Sequence, residues 1–255
     1  MIDLSFLIVS WNVADLLATC LETILAGQGA LSIEILVVDS ASRDHTVALL
    51  RERFPQVTVL PQSDNVGYTR GNNIALAAAQ GRYLFLLNPD TEIIGAALPT
   101  LVRYLDAHPD VGIVGPHTYN SDRTTTQSTR RRFPTPALAF FESTVLQAHA
   151  PQALLDRFYV NDGQPETTTR EVDWVQGSAL LARREVYAQI GGLDEGYVMY
   201  SEELDWCKRA KDAGWRVVFL GEAHIVHHGG KSTEQVAARS HIYFQQSKIR
   251  YFRKY

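Results

Sequence analysis

Two stretches of this chain are apolar at almost every position rather than at every second one. Leu4 to Ser10 and Tyr83 to Leu87 each run without a charge, the pattern of strands buried on both faces of a parallel sheet. Ile33 to Val38 repeats it with one interruption, and Val57 to Leu60 and Val111 to Val114 are shorter versions. The spacing between them is helical. Val13, Leu16, Leu17, Cys20, Leu21, Ile24 and Leu25 fall on one face, with Asn12 as the expected N-cap and Gly27 and Gly29 as the stop. Further helices are predicted over Asp44 to Phe54, capped by Ser42, over the alanine-rich Arg70 to Gln80, and over Ala96 to His108. Such alternation predicts an α/β fold, a doubly wound and mostly parallel sheet flanked by helices, with strand order 3-2-1-4.

The pattern changes after Gly115. His117 to Pro136 is polar and aperiodic, which predicts a long mobile loop. A helix over Ala137 to Leu155 and an irregular stretch from Asn161 to Arg170 follow. Glu171 to Leu181 reads as a strand pair or one strand bent at Gly177. Beyond the Gly191-Gly192 turn come an acidic helix from Ser201 to Ala213, a strand from Arg216 to Leu220, a loop from His224 to Ser232 and a closing basic, aromatic helix.

The 255 residues suit one large domain with an extension. Their 45% apolar and 20% charged content is that of a soluble globular protein, and a net charge of −4 argues against a nucleic-acid partner. Cys20 and Cys207 lie in predicted helices without metal-binding spacing and read as small core residues in a reducing compartment. No stretch approaches the ~20 apolar residues of a spanning helix, so a cytoplasmic protein is expected.

The chemistry gathers at strand ends. Pro89 ends the central strand by removing a backbone donor, which offers Asp90 at the carboxyl edge of the sheet, where open α/β sheets bind ligands. Asn12 and Asp39 follow the first and second strands in the same way. There is no Gly-x-Gly-x-x-Gly after the first strand and no Gly-Lys-Ser/Thr loop, so dinucleotide oxidoreduction and NTP hydrolysis drop out. A nucleotide here needs its phosphates neutralised otherwise, most simply by a divalent cation held by Asp90. His224, His227 and His228 lack the supporting ligands of a zinc site. In the acidic helix, Asp205 and Arg209 are one turn apart and predict an ion pair, while Glu202 and Glu203 diverge by ~100°.

Eight short stretches, taken together and in order, resemble the family 2 (GT-A) inverting glycosyltransferases, particularly their bacterial rhamnosyltransferase-like branch. They are Ile-Val-Ser-Trp-Asn (8–12), Val-Val-Asp-Ser-Ala-Ser-Arg-Asp (37–44), Asn-Val-Gly-Tyr-Thr-Arg-Gly-Asn-Asn (65–73) and Leu-Leu-Asn-Pro-Asp (86–90) in the first half. Trp-Val-Gln-Gly-Ser (174–178), Gly-Gly-Leu-Asp-Glu (191–195), Tyr-Ser-Glu-Glu-Leu-Asp-Trp-Cys (200–207) and Val-His-His-Gly-Gly-Lys-Ser (226–232) complete the set. The resemblance implies one GT-A domain, residues 1–115 forming its nucleotide-sugar half and 116–233 its acceptor and catalytic half, with 234–255 as a C-terminal helix.

It also implies roles. Asp39 would bind the nucleotide base, with Ser10 and Asn12 in the same pocket and Arg70 on phosphate or sugar. Asn88-Pro89-Asp90 stands where the family has Asp-x-Asp, one carboxylate short, so Asp90 would hold Mg²⁺ or Mn²⁺ with His227. Gly229, Gly230 and Lys231 would approach the phosphates. Glu203 would be the catalytic base, with Glu202 as its fallback. Trp174 and Gly177 would border the donor and acceptor pocket. The implied donor is a nucleoside diphosphate sugar, dTDP-L-rhamnose or a UDP-hexose, and the implied acceptor a glycan or lipid-linked hydroxyl in cell-surface polysaccharide synthesis. The basic stretches at Arg130–Arg132 and the C-terminal helix add a peripheral contact with the inner face of the plasma membrane. The rival reading is a non-catalytic nucleotide- or carbohydrate-binding scaffold on the same fold.

Overall fold

The computed structural model describes residues 1–229 and 237–255. The first half builds β1 (Leu4–Ser10), α1 (Ala14–Gly27), β2 (Ile33–Asp39), α2 (Thr46–Arg53), β3 (Thr58–Pro61), α3 (Gly67–Ala78), β4 (Tyr83–Leu87), β5 (Thr91–Ile94) and α4 (Ala97–Ala107). Then come β6 (Val111–Tyr119), α5 (Pro136–Glu142), α6 (Gln152–Tyr159), β7 (Arg170–Val172), β8 (Ala179–Arg183), α7 (Arg184–Ile190), α8 (Glu202–Asp212), β9 (Arg216–His227) and a last helix, α9 (Ala237–Lys254).

One sheet runs β3-β2-β1-β4-β8-β6-β9-β5, with β7 on β9. The expected 3-2-1-4 order is present, and β1, β2, β3 and β4 are mutually parallel. Beyond β4 the sheet is mixed: β8 runs antiparallel between β4 and β6, and β5 and β7 run antiparallel to β9. The continuous apolar strands serve two cores at once. Phe6 and Ile8 face α1, α2 and α4, whereas Leu7, Leu84 and Leu86 face α3, α7, α8 and α9. Strands covered on both sides need apolar residues throughout, which is why these were visible in the sequence.

Several expected boundaries move. β6 continues through His117 to Tyr119, and residues 120–135 are tied down rather than loose. Gln127 N donates to Thr118 O, Arg132 N to Phe158 O, and Arg131 bridges Trp174. The single helix expected over Ala137 to Leu155 is α5, a 3₁₀ turn at Gln147–His149 and α6; Pro151, at the N-cap of α6, divides it. Asn12 does not cap α1. It takes a left-handed conformation (φ 53°), and its Oδ1 accepts from Arg43 N. Ser42 likewise accepts from Asn12 N, and Asp44 receives the Thr46 amide at the start of α2. Asn12 and Ser42 therefore join two strand-end loops.

The largest correction concerns β5 and β9. The reading that ended the strand region at Asn88-Pro89 and made His224 to Ser232 a loop missed an antiparallel ladder, Thr91↔His227 to Ile94↔His224. Pro89 sits in a tight turn between β4 and β5, so the chain leaves the sheet for only three residues. Both cysteines are free and buried. Helix α9 docks through Tyr251, and its basic residues Lys248, Arg250 and Lys254 pair with Glu142, Asp194 and Asp205. Among the described residues no helix is long and apolar enough to cross a membrane.

Candidate active site

The β5–β9 ladder does the positioning at one end of the site. Because Thr91 pairs with His227, Asp90 is carried to the imidazole, and His228 N donates back to Asp90 O at 2.9 Å. His227 Nε2 lies 3.3 Å from Asp90 Oδ1 and 3.3 Å from Asn88 Nδ2. The ring is gripped from behind by Gln127, whose Nε2 donates to His227 O at 2.9 Å and whose Oε1 faces His227 Nδ1 at 3.0 Å. A proton on Nδ1 satisfies Gln127 and leaves the Nε2 lone pair toward Asp90 and Asn88, the arrangement of a metal-ligating histidine. His228 turns away to Glu92 and Ser121, as its neighbour's role requires.

A carboxylate, an imidazole and the buried, unpartnered Asn88 Oδ1 thus share one corner. Among the described residues no cluster of three or more His, Cys, Asp or Glu forms a cation cage. The donors fit a small hard cation whose remaining ligands are phosphate oxygens and water, the usual state of Mg²⁺ on a diphosphate. Gly230 and Lys231 of the phosphate-approach reading lie outside the described residues.

At the nucleotide end, Ser10 and Asp39 are paired in register at the ends of β1 and β2. Asp39 Oδ2 accepts from Ser42 N, while Asp39 Oδ1 and Ser10 Oγ are buried without a partner. Two adjacent unsatisfied polar atoms in a protein interior are costly and match a ligand that brings its own donor and acceptor. Arg70 is exposed on α3 and does not line the cleft.

The opposite wall is α8. Tyr200 and Ser201 both adopt left-handed backbone (φ 69° and 66°), which turns the chain so that Glu202 and Glu203 open the helix facing the cleft. Glu202 is buried; Glu203 is partly exposed, although its Oε2 is shielded from solvent. Burial pushes both carboxyls above the ordinary glutamate value, Glu202 well above it, and the charge of Glu203 adds to the shift of Glu202. Gly177 lies against Glu203: its amide points at Glu203 Oε1 at 3.5 Å, and a Cβ there would meet Tyr68 Oη at 3.1 Å. Tyr68 donates to Gly177 O at 2.6 Å, and burial followed by the two glutamates lifts its phenol.

Asn88, Trp174, Gly177, Glu202, Glu203 and His227 line one cleft of about 410 Å³. Trp174 is buried, its indole N–H satisfied by Arg132 O and its ring covered by Arg131 at 4.9 Å. The expected Asp205–Arg209 pair forms at 2.8 Å beneath the helix, away from the chemistry. Gln127 and Tyr68 were not found by sequence reasoning, and Arg131, read there only as part of a basic stretch facing a membrane, lines the cleft. Gln127 and Arg131 sit in an aperiodic polar run and Tyr68 beside a turn, and Gln127 and Tyr68 act on residues about a hundred positions away.

The sequence model of the family described as "Glycosyl transferase family 2" matches residues 5–189. Among curated relatives, the N-acetylglucosaminyl-diphospho-decaprenol L-rhamnosyltransferase of Mycobacterium tuberculosis H37Rv is 29% identical over 222 residues, covering 82% of this chain and 71% of that one. Rhamnosyltransferase WbbL of Escherichia coli K12 is 24% identical over 192 residues, covering 72% and 69%. Among solved structures, the mannosyltransferase PcManGT of Pyrobaculum calidifontis, in complex with GDP-Man and Mn²⁺, superposes with a TM-score of 0.62 at 19% identity. That match covers 89% of this chain and 57% of the mannosyltransferase, so it speaks for the GT-A fold. By the extent of the family match, this chain belongs to the family 2 glycosyltransferases.

Proposed function

We propose that the cleft moves a sugar from a nucleoside diphosphate sugar to a hydroxyl, with inversion at the anomeric carbon. One observation carries this reading: the corner where Asp90 meets His227 and Asn88 opens on the same small cleft as the Glu202–Glu203 carboxyl pair, Asn88 and His227 lining one side and Glu202 and Glu203 the other. The relatives named as rhamnosyltransferases, one acting on a diphospho-decaprenol-linked sugar, support a dTDP-L-rhamnose or UDP-hexose donor and a glycan or lipid-linked acceptor in cell-surface polysaccharide synthesis. The Mn²⁺ in solved GT-A neighbours supports divalent metal use.

In this reading Asp39 Oδ1 and Ser10 Oγ take the donor's base. Asp90 and His227, the latter oriented by Gln127, hold Mg²⁺ or Mn²⁺ against the diphosphate. When bound, the cation offsets the charge that develops on the departing nucleoside diphosphate. Glu203 accepts the acceptor hydroxyl's proton as that oxygen attacks. Its partial exposure makes it the reachable member of the pair, and its raised pKa makes it a better proton acceptor than an ordinary carboxylate. Glu202 is buried behind it, and its raised pKa favours the protonated form.

The test is product formation from dTDP-L-rhamnose and UDP-hexoses on a short lipid-diphosphate sugar, with the anomeric configuration read by proton NMR. Glu203→Gln is expected to lower kcat by about 10²–10⁴-fold with nucleotide affinity retained. An unchanged rate in Glu203→Gln removes it as the base, and nucleotide binding without turnover by the wild type favours the scaffold.

A further inference from the structure

We propose a second anion site beside the reaction cleft: a cavity of about 400 Å³ between the segment 126–131, the stretch 159–166 and Phe219 of β9, which takes the diphosphate of a phosphorylated acceptor. This assignment rests on the cleft being the sugar-transfer site. The size is within the range of small-ligand pockets.

Arg130 is 8% exposed, its guanidinium lying over Phe219 at 5.8 Å and donating to Pro165 O at 3.2 Å. Arg131 is boxed by the rings of Trp174, Tyr159 and Phe158 at 4.9, 5.6 and 5.7 Å, with its Nε on Ser128 O. Among the described residues no carboxylate forms an ion pair with either. Glu166 is the acidic residue on the cavity wall, and it receives Thr126 Oγ1. Arg170 nearby is already paired with Asp162. Asp162 also lies near Arg130, and Glu203 and Glu142 near Arg131, but none of these carboxylates pairs with either guanidinium, and a buried cation without a paired counter-charge is strongly unfavourable. His117, 3% exposed, adds a buried Nε2 with no partner at the cavity floor. Burial and then the neighbouring His224 depress its pKa, so it offers a neutral donor or acceptor rather than another charge.

Planar guanidinium groups with no carboxylate partner are suited to phosphate oxygens. The position selects the acceptor over the donor. Arg131 lines both this cavity and the cleft that holds Glu203, whereas the donor's diphosphate belongs at Asp90 and His227. A sugar presenting its hydroxyl to Glu203 has its phosphorylated end on the Arg131 side.

The test is calorimetric titration of the full chain with inorganic pyrophosphate in EDTA, where the cation-dependent donor corner is silent. Wild type, Arg130→Gln, Arg130→Lys and Asp90→Ala are compared, followed by competition with a short-chain lipid-diphosphate sugar. Pyrophosphate binding that weakens at least tenfold in Arg130→Gln, is partly kept in Arg130→Lys and is unchanged in Asp90→Ala supports the site. Displacement by the lipid-linked sugar assigns it to the acceptor. No binding, or binding lost in Asp90→Ala and kept in Arg130→Gln, overturns it, and pyrophosphate that the lipid-linked sugar does not displace overturns the acceptor assignment. Metal-dependent binding of UDP or dTDP is read separately, so its absence sinks the transfer reading without touching this result.

Discussion

Glu202 and Glu203 are adjacent carboxyls at the start of α8, both on the cleft. Burial raises both above the ordinary glutamate value of 4.5, and the charge of Glu203 raises Glu202 further. A carboxyl whose folded pKa lies above its unfolded one binds extra protons in the folded state, so its contribution to stability is complete below the unfolded value and is lost as pH rises through the folded one. Glu202→Gln, uncharged and of the same shape, is therefore expected to raise the melting temperature at pH 7–8, with the gain shrinking toward pH 4. Thermal unfolding across that range checks the sign, and a gain that grows toward acid contradicts it. The same burial is expected to place the acid limb of activity above the ordinary carboxylate range. Motif context singled out both glutamates, Asp39, Asp90 and His227 as candidates. Gln127 was invisible because nothing in Thr-Thr-Gln-Ser-Thr differs from a solvated loop; its role exists only once β9 lies alongside.

At the level of elements, legibility followed burial on two faces. β1, β2 and β4 announce themselves by continuous apolar runs. β5 is four residues long and the end of β9 alternates His, Ile, Val and His, which reads as punctuation until the two strands pair. Motifs also divided by purpose. Asn73, from the same motif as Tyr68, makes no contact with the cleft; its Nδ2 donates to Leu193 O at 2.9 Å and its Oδ1 accepts from Leu193 N at 2.8 Å, fastening α3 to the Gly191-Gly192 turn. Gly192 is required there because a Cβ would sit 2.4 Å from Asn73 Oδ1. Asn73→Ala leaves both backbone groups of Leu193 without these partners and is expected to cost about 2 kcal/mol. A shifted urea midpoint at constant slope measures it, and UDP affinity is expected to be unchanged.

Over the whole molecule, the basic C-terminal helix read from the sequence as a surface for anionic membranes pairs Lys248, Arg250 and Lys254 within the chain and leaves Arg253 exposed. Asp205, fully buried, receives Arg209, Lys254 and the Tyr255 hydroxyl, and Asp194 receives Arg250 and Lys254. These pairs hold α9 against the back of α8, the helix that presents the carboxyl pair. Asp205→Asn is expected to lower stability by about 3 kcal/mol and to increase hydrogen exchange along 237–255; unchanged protection there would show that α9 is held by its apolar contacts alone. Burial would raise the Asp194 carboxyl, but hydrogen bonds from Lys254 and Arg250 outweigh it and depress the pKa. Its contribution is thus present at neutral pH and lost as pH falls through the folded value.

In the proposed transfer Asp90 and His227 hold a cation against a nucleoside diphosphate while Glu203 faces the acceptor. Calorimetric titration with UDP and dTDP, each with and without Mn²⁺, on the wild type and Asp90→Ala, tests it most directly. Binding that requires both Mn²⁺ and Asp90, and that survives Glu203→Gln, is the predicted result. Binding indifferent to the metal and to Asp90, or no binding of either nucleotide, would contradict the account.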